Sequence, residues 1–320
     1  MRRKIPATHT LLCFEAAARH ESYTRAAQEL SLTQSAVSRQ ITTLEEFLGQ
    51  PLFRRTRHGV TLTPRGVTYA RQVAERLRAL ERDTLDVMSQ HSSGGVIHLA
   101  AVPTFATRWL IPRLPDLALV QPDLVVHIET RTRPFMFTET DFDAALYSGT
   151  PAQVASWAGT RAVELISEDV VPVCAQQLLG GRKQLKPDAL TTLPLLQQST
   201  RPEGWRQWFD AQGLAAPLAL AGPRYELFSM TAAAAAQGMG VALVPRLLIE
   251  AELARGELVV ACDKPLRGER SYYLVTPDRG EDKPALQAFA QWLQGACARP
   301  ATAAVFDGSA ITGPRIARRG

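Results

Sequence analysis

The 320-residue chain has only four cysteines, and Cys13, Cys174, Cys262 and Cys297 are scattered without a CxxC pair. Neither a disulfide framework nor a thiolate metal site is suggested, and all four read as buried thiols. No apolar run approaches the roughly 18 residues needed to span a bilayer. The basic start Arg2-Arg3-Lys4 is followed by no sustained apolar stretch of signal-peptide type. A soluble, cytoplasmic protein with no membrane partner is the expectation. His9, His20, His58, His91, His98 and His127 form no metal-ligand spacing, and the chain has neither a GxSxG elbow nor a Walker loop. Gln237-Gly238-Met239-Gly240 resembles part of a glycine loop, but it follows a helical stretch and precedes a strand-like one, the reverse of a dinucleotide site. It reads as a helix stop. No catalytic residue, metal or cofactor is expected.

What is present is uneven. The length fits two or three domains. Residues 1–66 hold ten Lys and Arg against five Asp and Glu, whereas residues 67–320 hold 26 of each, so the net charge of +5 is local to the N-terminal module. A small basic module on a neutral body suits phosphate attraction, because each cationic contact releases counterions condensed on nucleic acid. A solvated basic face without a partner is the other reading of charge alone.

His9 to Arg19 has helical apolar spacing. Ser22 is placed to cap a short helix from Tyr23 to Leu30, Ser31-Leu32 makes a turn, and Thr33 is placed to cap a third helix ending at Gly49. In that helix Val37, Ile41, Leu44 and Leu48 form one apolar stripe, leaving Ser35, Ser38, Arg39 and Thr42 facing away, with Gln34 in the first turn. Gln pairs with adenine, Arg with guanine, and hydroxyls with bases or phosphates. Support of the helix N-terminus is the competing role for Gln34 and Ser35. Two β-type runs around Arg57-His58-Gly59 then read as a wing, with Arg54, Arg55 and Arg57 near its tip. A plain charged hairpin remains open at this stage.

The segment LLCFEAAARHESYTRAAQELSLTQSAVSRQITTLEEFLGQPLFRRTRHGVTLTPRG resembles the LysR-type transcriptional regulators densely, through Phe14, Ala26-Ala27, Gln34, Ser35, Val37-Ser38, Gln40-Ile41, Leu44-Glu45, Leu52-Phe53, Arg55 and Gly66. The resemblance implies major-groove contacts from Gln34, Ser35, Ser38 and Arg39, and backbone or minor-groove contacts from the wing arginines. Glu21 departs from the pattern, standing where glycine is frequent.

Thr63-Pro64 opens a further helix. Ala70, Val73, Leu77, Leu80 and Val87 follow a heptad-like seam among charges, which suggests pairing with a second copy; packing on its own domain is the alternative. Residues 90–95 read as a hinge. From Val96, strand-like and helical runs alternate, implying βα units around largely parallel strands, with a second block from near Val163 and a return to the first through SYYLVTP and PALQAFAQWLQG. Such a body forms a cleft between two lobes. Thr104, Phe105, Ser148, Ser199 and Thr200 fall at strand ends or helix starts facing it, and Phe228 offers an apolar wall. Capping and core packing are equally available roles.

This body resembles the effector-binding domain of the same family, which is similar to periplasmic solute-binding proteins, and it most resembles the branch containing the glycine-cleavage activator. The expected organisation is an α/β chain: a winged helix-turn-helix over 1–62, a linker helix over 63–91 and a two-lobed effector domain over 92–298. Lobe I takes 96–162 and 267–298, lobe II 163–266, and 299–320 form a disordered tail. The expected function is sequence-specific transcriptional regulation, modulated by a carboxylate or amino-acid-like effector. The resemblance implies double-stranded promoter DNA, a second copy of the chain in dimers and tetramers, and RNA polymerase as partners. An architectural DNA-binding protein without effector, or an α/β enzyme, are the alternatives.

Overall fold

The computed structural model describes residues 4–57, 59–88, 95–278 and 283–298. The tail expected over 299–320, His58 at the wing tip, and the hinge apart from Gly95 lie outside these residues. The chain divides into two compact units, Met1–His91 and Ser92–Gly320.

In the first unit, local signals set three helices. Helix α1 (Thr8–His20) ends at Glu21, whose φ of 46° is left-handed. Helix α2 (Tyr23–Glu29) is capped by Ser22, which accepts from the Arg25 amide at 3.3 Å. Helix α3 (Gln34–Leu48) is capped by Thr33, which accepts from the Ala36 amide at 3.2 Å, and it stops at left-handed Gly49. Val37, Ile41 and Leu44 turn inward onto Phe14, Ala17 and Ala26.

The hairpin of β1 (Phe53–Thr56) and β2 (Gly59–Leu62) is antiparallel, with Arg54 opposite Thr61 and Arg55 opposite Val60. Glu45 pins its root: one carboxylate oxygen accepts from the amides of Leu52 and Phe53 at 2.7 and 2.9 Å. The carboxylate of Glu21 accepts from the Thr61 hydroxyl at 2.9 Å, tying the first loop to the second wing strand.

Helix α4 (Pro64–Met88) starts under Thr63, which accepts from the Gly66 amide at 3.0 Å. The apolar seam expected on this helix is divided. Val73 is buried, and Ala70 and Leu77 are half-buried, in the core built on Phe14, because the first turns of α4 pack on α1. Packing on its own domain therefore takes that part of the seam. Further along, Leu80, Leu85 and Met88 are exposed.

The second unit holds two five-stranded sheets. The first has the order β4-β3-β5-β12-β6 and is built from β3 (Val96–Ala101), β4 (Val125–Thr130), β5 (Ala144–Gly149), β6 (Thr160–Ser167) and β12 (Ser271–Pro277). The second has the order β11-β7-β10-β8-β9, from β7 (Val170–Cys174), β8 (Leu195–Gln198), β9 (Arg224–Tyr225), β10 (Val241–Pro245) and β11 (Val259–Val260). Each sheet is mixed rather than largely parallel. In the first, β3 is parallel to β4 and β5, but the returning β12 is antiparallel to both β5 and β6. In the second, β8 is parallel to β9 and β10, while β7 is antiparallel to β10 and β11.

The break expected near Val163 falls inside β6, which pairs with β12 as far as Ser167. The chain crosses between the sheets at Glu168-Asp169 and returns through 266–270, the two crossings meeting in a bridge between Val170 and Leu266. No glycine or proline separates TRAVELIS from EDVVPV, so the sequence carries no turn signal there.

After β3 the chain runs through α5 (Pro103–Phe105), a π turn over Ala106–Leu110, a 3-10 turn over Ile111–Arg113 and α6 (Leu114–Val120). Pro112 and Pro115 lack the amides that one continuous helix needs. Around the sheets stand α7 (Pro151–Ala155), α8 (Gly204–Ala211), α9 (Phe228–Ala236), α10 (Glu250–Arg255) and α11 (Pro284–Ala298). Phe289 and Leu293 of α11 are fully buried beside Leu99 and Leu146 of the first sheet. Trp205, Trp208 and Phe209 of α8 anchor a separate core under the second.

Gly66 is the tightest point of the first unit, since a Cβ there would stand 2.1 Å from the Leu52 carbonyl oxygen; at Gly49 it would meet nothing within 4 Å. Gly66→Ala is expected to cost about 2–3 kcal/mol by forcing backbone apart, and Gly49→Ala only about 1 kcal/mol of left-handed strain. Urea unfolding that gives the two substitutions equal costs would contradict this.

Candidate functional sites: an exposed helix face and a cleft built on a buried glutamate

On α3, Gln34, Ser35, Arg39 and Thr42 are exposed and Ser38 is half-buried, all away from the Val37–Ile41–Leu44 stripe. Two of the hydroxyls have local partners: Ser35 Oγ lies 3.1 Å from the capping Thr33 hydroxyl, and Thr42 donates to the Ser38 carbonyl at 3.1 Å. Arg39 keeps its guanidinium in solvent. Arg54, Arg55 and Arg57 are exposed on the wing, but strand alternation sends Arg54 and Arg55 to opposite faces of the hairpin. Arg55 lies on the face of Phe53, near Tyr23. Burial, then the Glu45 charge, pushes the Tyr23 hydroxyl up to about 12, against the opposing influence of Arg55. One duplex surface does not meet both side chains equally.

In the second unit, a cavity of about 190 Å³ opens between the lobes, and Thr104, Phe105, Ser148, Thr200 and Phe228 border it. Ser199 does not. It is exposed and its amide donates to the Tyr225 carbonyl at 2.8 Å. Ser199 and Thr200 both lie in the turn after β8, where the Gln198 side chain donates to the Thr200 hydroxyl at 3.1 Å and Ser199 is turned away. Phe105 is fully buried, its ring stacked between Trp109 at 4.8 Å and Tyr272 at 4.3 Å, so it forms the floor. Thr104 Oγ1 accepts from the Ser229 amide at 3.3 Å, joining the lobes.

The centre of the site is a residue that sequence reasoning missed. Glu168, at the first crossing, is 4 % exposed. Its carboxylate accepts from Arg201 Nε at 2.9 Å, from Arg201 Nη2 at 3.0 Å and from the Ser148 hydroxyl. Arg201 Nη2 also donates to Ser148 Oγ at 3.0 Å, and Nη1 to the carbonyl and hydroxyl of Thr200 at 3.0 and 3.1 Å. From the second crossing, Arg270 donates to the Ser148 carbonyl at 2.9 Å and to Gln153 at 3.1 Å, and its carbonyl accepts from the Glu168 amide at 2.8 Å. Gln198 is held by Thr231, Thr200 and the Glu226 carbonyl.

Electrostatics follow this arrangement. Complete burial, then the Glu168 charge, pushes the Tyr272 hydroxyl far above its ordinary value. Arg270 is pulled below its ordinary value by burial and by the like charge of Arg201. Two guanidiniums and two carboxylates, the buried Glu168 and the exposed Glu226, thus line the cavity, and the buried Nε of Arg270 is left without an acceptor. Arg108 of the first lobe and Glu252 of α10 in the second form a further ion pair across the lobes. No group of three or more His, Cys, Asp and Glu able to hold a metal stands among the described residues. No described helix is long and apolar enough to cross a membrane.

A winged helix-turn-helix on one unit and a cleft between two α/β lobes on the other define a transcription regulator that couples a DNA reader to a small-molecule sensor. Residues 8–67 match the bacterial regulatory helix-turn-helix proteins of the lysR family, and residues 90–298 match the LysR substrate binding domain. The chain belongs to the LysR family. It is 35 % identical over 294 residues to the glycine cleavage system transcriptional activator of Escherichia coli strain K12, covering 92 % of this chain and 94 % of that one. To the TrpI regulator of Pseudomonas aeruginosa it is 33 % identical, covering 92 % and 98 %. Among solved structures, the effector domain of AmpR from Pseudomonas aeruginosa matches at a TM-score of 0.56 and 27 % identity, over 63 % of this chain and 95 % of that one. Full-length AphB of Vibrio cholerae matches in fold at a TM-score of 0.57 and 18 % identity, over 90 % and 99 %. LysR regulators bind DNA and small-molecule effectors and form oligomers, and the relatives named are transcription regulators rather than enzymes.

Glu168, Arg201 and Arg270 were not singled out because each stands outside any motif, separated from its partners by dozens of residues. The Glu168–Arg201 pair joins side chains that are 2 % and 19 % exposed. Arg201→Met is expected to destabilise the second unit by about 3 kcal/mol, because it strands a buried carboxylate. Arg206→Met, at the exposed pair with Glu203, should cost less than about 1 kcal/mol. Thermal unfolding that ranks them equally would contradict the role given to Glu168.

Proposed function

We propose that this chain is a cytoplasmic regulator that reads promoter DNA through Gln34, Ser35, Ser38 and Arg39 of α3, with Arg54, Arg55 and Arg57 on backbone or minor groove. In its second unit it binds a small carboxylate or amino-acid-like effector. Thr104, Ser148, Thr200 and Phe228 border that effector, joined by Arg201 and Arg270. The observation that carries the effector class is the buried Nε of Arg270, which lines the cleft and finds no acceptor, since an unpaired charged donor favours an anionic occupant. Thr104 and Arg201 each bond across the two lobes, so an effector that inserts among them changes how the lobes are held. That bias is passed to DNA through dimers and tetramers of the chain. At the promoter the regulator acts on RNA polymerase, as the activator names of its relatives suggest.

Two outcomes test this reading. Arg39→Ala is expected to weaken binding to the specific promoter site by about 1–3 kcal/mol, the worth of a base contact. Binding to random DNA at the same salt should change far less; equal losses would remove Arg39 from base recognition. For the cleft, a thermal-shift screen of glycine, other amino acids and small carboxylates on the full-length protein should find a stabiliser. The shift should disappear in Thr104→Val and Thr200→Val, and a hit that stabilises both variants as well as the parent would place the effector elsewhere.

A further inference from the structure

Glu21 closes α1 with a φ of 46° and a ψ of 34°. That left-handed conformation is free to glycine and tolerated by Asn and Asp, whose short side chains bond locally, but it costs energy at a glutamate. The offsetting contact lies outside the turn. The Glu21 carboxylate accepts from the hydroxyl of Thr61, forty residues further on in the wing, at 2.9 Å. Its carbonyl oxygen stands 3.5 Å from where a Cβ on Gly59 would lie. The corner between α1 and α2 therefore meets β2 at both Gly59 and Thr61.

Where that contact falls on the hairpin decides what it does. The root is fixed separately, by Glu45 on the amides of Leu52 and Phe53 and by the Phe53 ring, which lies edge-on to Tyr23 at 5.5 Å. Val60 and Leu62 pack on the core with Phe53. Thr61 alternates to the opposite face, and its cross-strand partner is Arg54. Directly opposed residues of an antiparallel pair share a face, so the Glu21 bond is made beside Arg54, on the side of the wing that the core does not hold. Each strand has four residues. A two-stranded hairpin is marginal on its own, and its outer part keeps one orientation only where contacts from the body fix it.

We propose that Glu21 is a positioning residue for DNA binding: by docking β2 through Thr61 it holds Arg54 where the duplex backbone meets the wing. This rests on the reading that Arg54 contacts that backbone. The carboxylate also brings a negative charge toward the same contact, so its worth lies in the hydrogen bond, which a neutral amide oxygen accepts equally well.

The test follows binding of the full-length protein to a fluorescein-labelled duplex of random sequence by anisotropy over a salt series, because a backbone contact is made on any sequence. Arg54→Ala sets the scale, with weaker binding and a salt slope shallower by about 1. Glu21→Ala and Thr61→Val should each weaken binding by about threefold, the worth of one modest hydrogen bond, and the double variant should be no weaker than either alone. Glu21→Gln, which keeps an acceptor for Thr61, should bind at least as tightly as the parent. Glu21→Gly removes the left-handed strain, so its DNA binding should fall while its melting temperature does not, a split that general damage to the fold would not produce. In the free protein, amide exchange over Phe53–Thr56 and Gly59–Leu62 should be faster in Glu21→Ala and parental in Glu21→Gln. The proposal is overturned if Glu21→Ala binds or exchanges like the parent, if Glu21→Gln is as weak as Glu21→Ala, or if Glu21→Gly loses stability and binding together. A loss in Arg54→Ala without one in Glu21→Ala overturns the proposal and leaves the wing reading standing, whereas parental binding by Arg54→Ala overturns both.

Discussion

A carboxylate buried where the chain crosses between two sheets must be satisfied within the protein, and Glu168 is satisfied from both sides at once. Ser148 comes from the end of β5 in the first lobe, and Arg201 follows β8 in the second. The backbone of the second crossing closes the ring through the Glu168 amide and the Arg270 carbonyl. Desolvating the glutamate costs several kcal/mol unless these partners are in place, so the position of the lobes and the pairing of the charge are one problem. Arg270 adds a second guanidinium whose buried Nε has no acceptor, and this leftover donor is what the proposed anionic effector would meet.

The first unit rests on a smaller version of the same device. Glu45 accepts two successive amides at the root of the wing, so the helix that presents Arg39 also positions the hairpin that presents Arg54 and Arg55. Gly66 admits the Leu52 carbonyl against the start of α4. The groups proposed to face DNA are thereby left exposed on a scaffold with polar bonds spent inward. Glu21 adds a departure particular to this chain: it takes the left-handed conformation that glycine would accept freely, and its carboxylate meets the wing at Thr61.

What was legible in the sequence was what is periodic or local. The stripe of α3, its Thr33 cap, its Gly49 stop and the outward face follow from a spacing of three and four, and the structure has all of them. Ser199 and Thr200 lie in the turn after β8, where strand parity no longer tells which side chain faces the cleft. The division of the α4 seam was not legible, since an apolar residue facing its own domain has the same spacing as one facing a second copy. Glu168, Arg201 and Arg270 were hidden for another reason: their meaning lies in a meeting of residues 148, 168, 201 and 270 that only the mixed sheet order creates. The same sheet order moves the crossing from Val163 to Glu168, because β6 remains with the first sheet through its pairing with β12.

The central claim is that Glu168 holds the two lobes in one relative position. With the four native cysteines replaced, spin labels at the exposed positions Glu139 and Asp210, one on each lobe, report their separation by pulsed electron paramagnetic resonance. A single narrow distance is predicted for the parent, and a broadened or displaced distribution for Glu168→Gln. Identical distributions in the two proteins would contradict the account.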